Sequence, residues 1–306
     1  MKESEIILKT ILEVNNINKK VGKKSLLSNI SFSINSSDIV GLIGPNGAGK
    51  TTIMKSILSL LKIDSGEISI NGQNINYTSH HGLHEIGALI ENPSLYPYLT
   101  GMDHVRMYTH KRKNVSKETM HIINELNMGK FINLKVKKYS LGMKQKMGIL
   151  IALLNNPKLV ILDEPMNGLD PKSNVELRNL ILSLSKKGVS FLISSHILSE
   201  LEIIVNRVVI INHGKIINKS YVNDLLSIGN TYLNLKTSNN SKSILLLNNK
   251  DFKTTTSEDG TFQIKLIDKH SIEQIFQLLY RNNIKIIDFY KSGSTLESSL
   301  LKAIYN

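Results

Sequence analysis

Along the first quarter of the chain, apolar positions fall into short blocks separated by polar and glycine-rich breaks. Ile11–Val14 and Leu26–Ile34 read as strands. Ile39–Ile43 is an unbroken apolar run, as expected of a parallel strand covered on both faces. Ile53, Met54, Ile57, Leu58 and Leu61 then recur at helical spacing. Asp64-Ser65-Gly66 reads as a turn, Glu67–Ile70 as a strand and Asn71-Gly72 as a tight turn. From Thr100 to about Leu154 the pattern turns mostly helical, with Thr119–Leu126 its clearest repeat, before Leu159–Leu162 and Val189–Ile193 return to buried strands.

Near Tyr221 the pattern changes again. Tyr232, Leu233 and Leu235 read as a strand, Phe262, Ile264 and Leu266 alternate, and Ile284–Tyr290 reads as a further strand. Ser271-Ile272-Glu273-Gln274 is a capping box opening an amphipathic helix with Ile275, Phe276, Leu278 and Leu279. Ser294-Thr295-Leu296-Glu297 opens a final helix in the same way, and the polar stretch Ser238–Lys242 reads as a loop. The expected organisation is an α/β domain over residues 1–220, with a helical subdomain at about 92–155, followed by a small α+β domain over 221–306.

Between the strand ending at Ile43 and the helix starting near Ile53 stands Gly44-Pro45-Asn46-Gly47-Ala48-Gly49-Lys50-Thr51-Thr52. Its G-x-x-x-x-G-K-T spacing, in a strand–turn–helix context, is that of a phosphate-binding P-loop. Glycines let successive backbone N–H groups turn inward around phosphate oxygens, and the helix N-terminus adds its positive end. Lys50 is placed to bridge β- and γ-phosphates and the Thr51 hydroxyl to ligate Mg²⁺. At the end of the strand Leu159–Leu162 come Asp163 and Glu164. The open end of an α/β sheet is where ligands bind. Asp163 is placed to hold the Mg²⁺ through its water shell, and Glu164 to orient or deprotonate the attacking water. The pattern implies a protein that binds and hydrolyses a nucleoside triphosphate.

Composition narrows the setting. The 306 residues include no cysteine, so a disulfide framework or thiolate metal site is excluded. The longest apolar run, Met147–Leu154, falls far short of the roughly 20 residues that span a bilayer. Met1–Glu5 carries acidic residues and lacks the apolar core of a signal peptide, so the chain is not expected to cross a membrane by itself. A formal net charge of +13 admits nucleic acid, an anionic membrane face or nucleotide alone as partner. The lysines are spread in short groups without interleaved aromatics, which reads as solvated surface rather than a stacking platform. His80, His81 and His84 lie close together, but no further ligand follows at metal-binding spacing.

Three more stretches carry a family resemblance. Tyr139-Ser140-Leu141-Gly142-Met143-Lys144-Gln145-Lys146 resembles the signature of ABC ATPases, Asn167-Gly168-Leu169-Asp170-Pro171 their D-loop, and Ser194-Ser195-His196 the segment of their switch histidine. With both phosphate motifs the resemblance runs in order over about residues 11–219. It implies a P-loop NTPase core of the ABC type, with ATP and Mg²⁺ as cofactors and a head-to-tail homodimer. In that dimer Ser140, Gly142 and Gln145 would face the partner's ATP, Asp170 would communicate across the interface, and His196 would sense the γ-phosphate.

Four positions depart from the family pattern. Leu141 and Met143 replace a glycine and a glutamine of the signature, and Val21 stands where an aromatic usually stacks on adenine. Glu91 takes the place of the Q-loop glutamine, whose family role implies contact with Mg²⁺, the attacking water and a permease. Glu91, this signature and the short C-terminal domain together resemble the bacitracin-resistance and lantibiotic-immunity exporters. That resemblance implies an ATPase at the cytoplasmic face of the cell membrane, energising separate permease subunits, with no nucleic acid expected. The other class considered is a soluble ABC ATPase acting on nucleic acid or ribosomes. Relatives of that kind usually carry two tandem nucleotide domains or long coiled-coil insertions, and neither occurs here.

Overall fold

The computed structural model describes residues 9–78, 80, 82–109, 115–196, 201–222, 224, 231–250, 252–256, 261–266 and 271–292. The chain divides into two compact units, residues 1–222 and 223–306.

The first unit begins with a long antiparallel hairpin, β1 (Thr10–Val21) and β2 (Lys24–Asn35), followed by β3 (Ile39–Ile43) and helix α1 (Lys50–Ile57). Strands β4 (Ser65–Ile70) and β5 (Gln73–Ile75) complete a four-stranded antiparallel sheet of order β2-β1-β4-β5. β1 runs well past the alternation visible in the sequence. Register shifts between Val14 and Ile17, with Asn16 at φ 50°, break the period of two while Ile17 still reaches the core.

A second sheet holds β6 (Ile86–Leu89), β7 (Leu159–Leu162), β8 (Ser190–Ser195), β9 (Arg207–Asn212) and β10 (Lys215–Tyr221) in the order β10-β9-β3-β8-β7-β6. β9, β3, β8, β7 and β6 are parallel, and β10 closes the edge antiparallel to β9. Ile53, Met54 and Ile57 of α1 are fully buried in the core shared by the two sheets. Burial of that kind contributes roughly 1.5–3 kcal/mol per side chain and fixes the helix under the P-loop. β8 continues beyond Ile193: Ser194 and Ser195 belong to the strand and are buried.

Between β6 and β7 lies the helical insertion: α2 (Gly101–Tyr108), α3 (Lys117–Glu125), a single 3₁₀ turn (Val136–Lys138) and α4 (Leu141–Ala152). Helix α5 (Pro171–Ser185) joins β7 to β8.

The second unit is an antiparallel sheet of order β12-β13-β11-β14, with strands β11 (Thr231–Thr237), β12 (Thr254–Thr256), β13 (Phe262–Leu266) and β14 (Ile286–Ser292). Helices α6 (Asn240–Asn248) and α7 (Ser271–Arg281) supply the rest of a separate core around Leu235, Phe262, Ile275 and Leu279. The expected loop Ser238–Lys242 is instead the start of α6. Its polar residues form the cap, with Asn239 accepting from the Lys242 N–H and Asn240 Oδ1 accepting from Thr237. The helix expected from Ser294 lies outside the described residues.

Candidate functional site

The parallel strands deliver their C-terminal ends to one edge of the sheet. In spatial order these ends carry His213 after β9, the P-loop after β3, His196 after β8, and Asp163 with Glu164 after β7. Over them opens a cavity of about 470 Å³ lined by Asn46, Gly47, Gly49, Lys50, Thr51, Thr52 and Glu164, and at its other end by Lys24, Ser25, Leu26, His213 and Gly214. That size suits a nucleotide.

The P-loop is held by close backbone contact. A Cβ at Gly44 would lie 2.2 Å from the Ile211 carbonyl oxygen, so no side chain fits there. Gly49, at φ 113°, is the N-cap of α1, and the buried Ala48 accepts a backbone bond from Gly214 at 2.8 Å. Lys50 is the first residue of α1 and is buried. Its ammonium donates to the Gly44 carbonyl at 2.7 Å and to that of Pro45 at 3.4 Å, and lies 3.5 Å from Glu164 Oε1. The Thr51 hydroxyl donates to Asp163 Oδ2 at 2.7 Å.

Ser194 went unnoticed as a functional residue in the sequence, where it read only as part of the segment before His196. Its buried hydroxyl donates to Asp163 Oδ1 at 2.6 Å and accepts the Glu164 N–H at 2.8 Å. Glu164 sits at φ 49°, a left-handed backbone rarely adopted by a side chain of this kind. The Ser194 bond holds that conformation. It leaves the Glu164 carboxylate paired through Oε2 with His196 Nδ1 and with Asn167 Nδ2 at 3.1 Å. Carboxylates only accept, so the proton of that pair belongs to His196 Nδ1.

The signature helix starts as expected. Ser140 is the N-cap of α4 and accepts the Met143 N–H at 3.2 Å. Met143, in place of glutamine, closes the capping box with its sulfur 3.4 Å from the Ser140 nitrogen. Leu141 remains 60% exposed and packs over Gly168, where an added Cβ would come within 2.8 Å of the leucine side chain. A Cβ at Gly142 would lie 2.9 Å from the Gly168 carbonyl oxygen, so signature and D-loop interlock.

Gln145 departs from the expectation that it faces a partner's nucleotide. It is buried, and its amide donates to the Pro165 carbonyl at 3.1 Å, tying α4 to the loop after Glu164. Lys146 is buried too, donating to the Leu126 carbonyl and pairing with Glu176 at 2.8 Å. Asp170 caps α5, accepting from the Ser173 N–H at 2.9 Å and its hydroxyl at 2.7 Å. These bonds, the backbone one first, hold its carboxyl below the ordinary range.

Glu91, expected at the metal when the dimer closes, stands apart from Thr51 and Asp163 in the single chain. It turns outward at φ 58° and pairs with Lys55, one helical turn past Thr51, at 2.6 Å. Val21 is 57% exposed and stands apart from the cavity lining. His81 lies outside the described residues, and among the described residues no group of three metal-binding side chains forms around His80 and His84.

The strand order, the P-loop on α1 and the paired carboxylates after β7 define a P-loop nucleoside triphosphatase with a helical insertion. A family model described as ABC transporter matches residues 27–167. The lantibiotic transport ATP-binding protein SrtF of Streptococcus pyogenes is 43% identical over 208 residues, 68% of this chain and 89% of its own length. The bacitracin transport ATP-binding protein BcrA of Bacillus licheniformis is 33% identical over 308 residues, 97% of this chain and 98% of its own. A solved structure described as the ATP binding subunit of an ABC transporter is 30% identical, with a TM-score of 0.65 over 72% of this chain and 93% of that one. The chain belongs to the ABC transporter family as an ATP-binding cassette, and cassettes of this family hydrolyse ATP to drive transport.

Proposed function

We propose that this ATPase powers a separate membrane permease that expels an antimicrobial peptide or cell-wall antibiotic and so protects the cell making or meeting it. The observation that carries the reading is the reach of the BcrA match. It covers 97% of the chain and so includes the second unit, whereas the general cassette structure covers 72%. Among the described residues no helix is long and apolar enough to cross a membrane, so the passage itself falls to another subunit. That subunit would hold the cassette at the cytoplasmic face of the membrane. The second unit, with its own core, is read as an accessory domain supporting the assembly.

Within this reading the chain's groups have distinct tasks. Backbone N–H groups of Gly47–Thr52 and the Lys50 ammonium bind and orient the triphosphate. Thr51 Oγ1 and Asp163 Oδ2 form a pair of hard oxygens that would hold Mg²⁺, directly or through its water shell. When bound, the ion would neutralise phosphate charge. Glu164 orients and deprotonates the attacking water, and His196 holds its carboxylate from the far side. Ser140 and Gly142 do not line the cavity of their own chain, so their helix N-terminus serves the ATP of a second copy in a head-to-tail pair.

The test is genetic. Deleting the gene is expected to sensitise its host to at least one compound in a panel of lantibiotics, bacitracin and amphipathic peptides. The wild-type gene restores resistance and Lys50→Ala does not. Unchanged susceptibility across the panel would reassign the exported substrate. Pull-down of the tagged chain from membranes is expected to recover a polytopic protein, and recovery of RNA or DNA in its place would overturn the transport role.

A further inference from the structure

The nucleotide cavity has two ends, and the strand order tells them apart. Thr51, Asp163, Glu164 and His196 gather on the β8–β7 side of the P-loop, so the terminal phosphate belongs there. The nucleoside must therefore leave on the opposite flank, beside β9, where the lining continues through Lys24, Ser25, Leu26, His213 and Gly214. Among the described residues lining the cavity, His213 is the one with an aromatic ring.

Its position is fixed by the turn that carries it. His213 at φ 44° and Gly214 at φ 71° form a two-residue hairpin turn between the paired residues Asn212 and Lys215. Gly214 donates to the Ala48 carbonyl and accepts from the Ser28 N–H, both at 2.8 Å. A Cβ at Gly214 would stand 2.2 Å from the Leu26 carbonyl oxygen. The turn is thereby stitched to the P-loop on one side and to β2 on the other. Asparagine is the residue such a turn favours at its first position. The histidine there instead costs backbone strain, at a position on the cavity lining.

We propose that His213 packs against the base of the bound nucleotide, doing the work of the aromatic that is missing at Val21. This rests on the ATPase reading of the site and adds the residue that grips the nucleoside. The flat imidazole face stacks on any purine, so the contact sets nucleotide affinity while discriminating little between adenine and guanine.

The experiment compares ATP, GTP and inorganic tripolyphosphate binding to the full chain by calorimetry for wild type, His213→Asn, His213→Ala and His213→Tyr. Removing one base–aromatic stack is expected to weaken ATP and GTP binding about tenfold in the Asn and Ala variants. Tripolyphosphate, which has no base, should bind all four proteins alike, and His213→Tyr should retain the affinity for ATP. His213→Asn suits the turn and is expected to melt no lower than wild type, so lost affinity in that variant cannot come from misfolding. ATP binding by His213→Asn equal to wild type, or an equal loss of tripolyphosphate binding, would overturn the proposal. Failure of the export reading would show in cell susceptibility and leave this binding test untouched.

Discussion

Thr51 and Asp163, 112 residues apart, meet through a 2.7 Å hydrogen bond from the threonine hydroxyl to Oδ2. The bond joins the first turn of α1 to the end of β7 across the intervening strand β8. It sets two oxygens at the spacing one small cation can share, before any ligand contributes.

That pair should dominate the metal requirement of hydrolysis. Thr51→Val is expected to raise the Mg²⁺ concentration for half-maximal activity about tenfold, the effect of losing one ligand interaction of roughly 1.4 kcal/mol. Glu91→Gln should shift it no more than about twofold, because Glu91 is engaged by Lys55 on an exposed surface where pairs contribute about 0.2–1 kcal/mol. ATPase activity titrated with Mg²⁺ decides. A tenfold shift in the glutamine variant would return Glu91 to the metal.

Lys50 and Glu164 should separate binding from turnover. Lys50→Ala is expected to lose ATP binding, since the triphosphate loses its buried counter-charge. Glu164→Gln should bind ATP normally, slow hydrolysis about 100-fold or more, and accumulate an ATP-bound dimer visible by size-exclusion chromatography. Wild-type turnover in the glutamine protein would remove Glu164 from its role as base.

Ser194 is a positioning residue, and its loss should be felt through its two neighbours. Ser194→Ala leaves the part-buried Glu164 N–H and one Asp163 oxygen without their shared partner, a cost of about 1–3 kcal/mol. The expected result is a fall in kcat of about tenfold with a raised Mg²⁺ requirement and little change in ATP affinity. Ser194→Thr, which keeps the hydroxyl, should recover most of the kcat. If alanine lowers the melting temperature without moving kcat or the Mg²⁺ curve, the serine is only a structural bond.

Asp170 should give the fold an acid limb. Its carboxyl is held low in the folded protein, so its contribution is complete above the unfolded carboxylate value near about 3.9 and fades as pH falls through the lower folded value. Asp170→Asn keeps a capping side chain but cannot titrate. Wild type is therefore expected to out-melt the asparagine variant by a constant margin at neutral pH, with the margin shrinking below about pH 4. A margin independent of pH would show that the charge adds nothing to the cap.

Much of this was legible because the chemistry sits at strand ends with strong patterns. Ile39–Ile43 and Leu159–Leu162 are strands to the residue, and the glycines and carboxylates that follow them announce themselves by type and spacing. What stayed hidden depends on contacts made across the chain. Ser194 read only as part of the segment before His196, because the task of a hydroxyl in a buried strand is visible only once Asp163 and the Glu164 N–H stand beside it. Gln145 looked like a phosphate contact because sequence gives the helix but not which way its faces point. Glu91 was read by its neighbours in the chain, while its partner, Lys55, lies 36 residues earlier. His213 carried no signal of its own, since a histidine–glycine turn acquires meaning only from the P-loop it is bonded to.

The lining of the cavity runs from Lys24 to Gly214 in the chain, so it is assembled from almost the whole first unit. During synthesis a nascent chain already holds its complete P-loop by Thr52, yet β3 lacks its β9 neighbour until Asn212 has emerged. Until then the flank of β3 is an unpaired edge of buried apolar residues, the kind of surface that seeks another strand. Products truncated before β9 would thus carry the phosphate motif without a finished pocket and aggregate through that edge. The second unit follows with its own core, arriving after the nucleotide site is already closed.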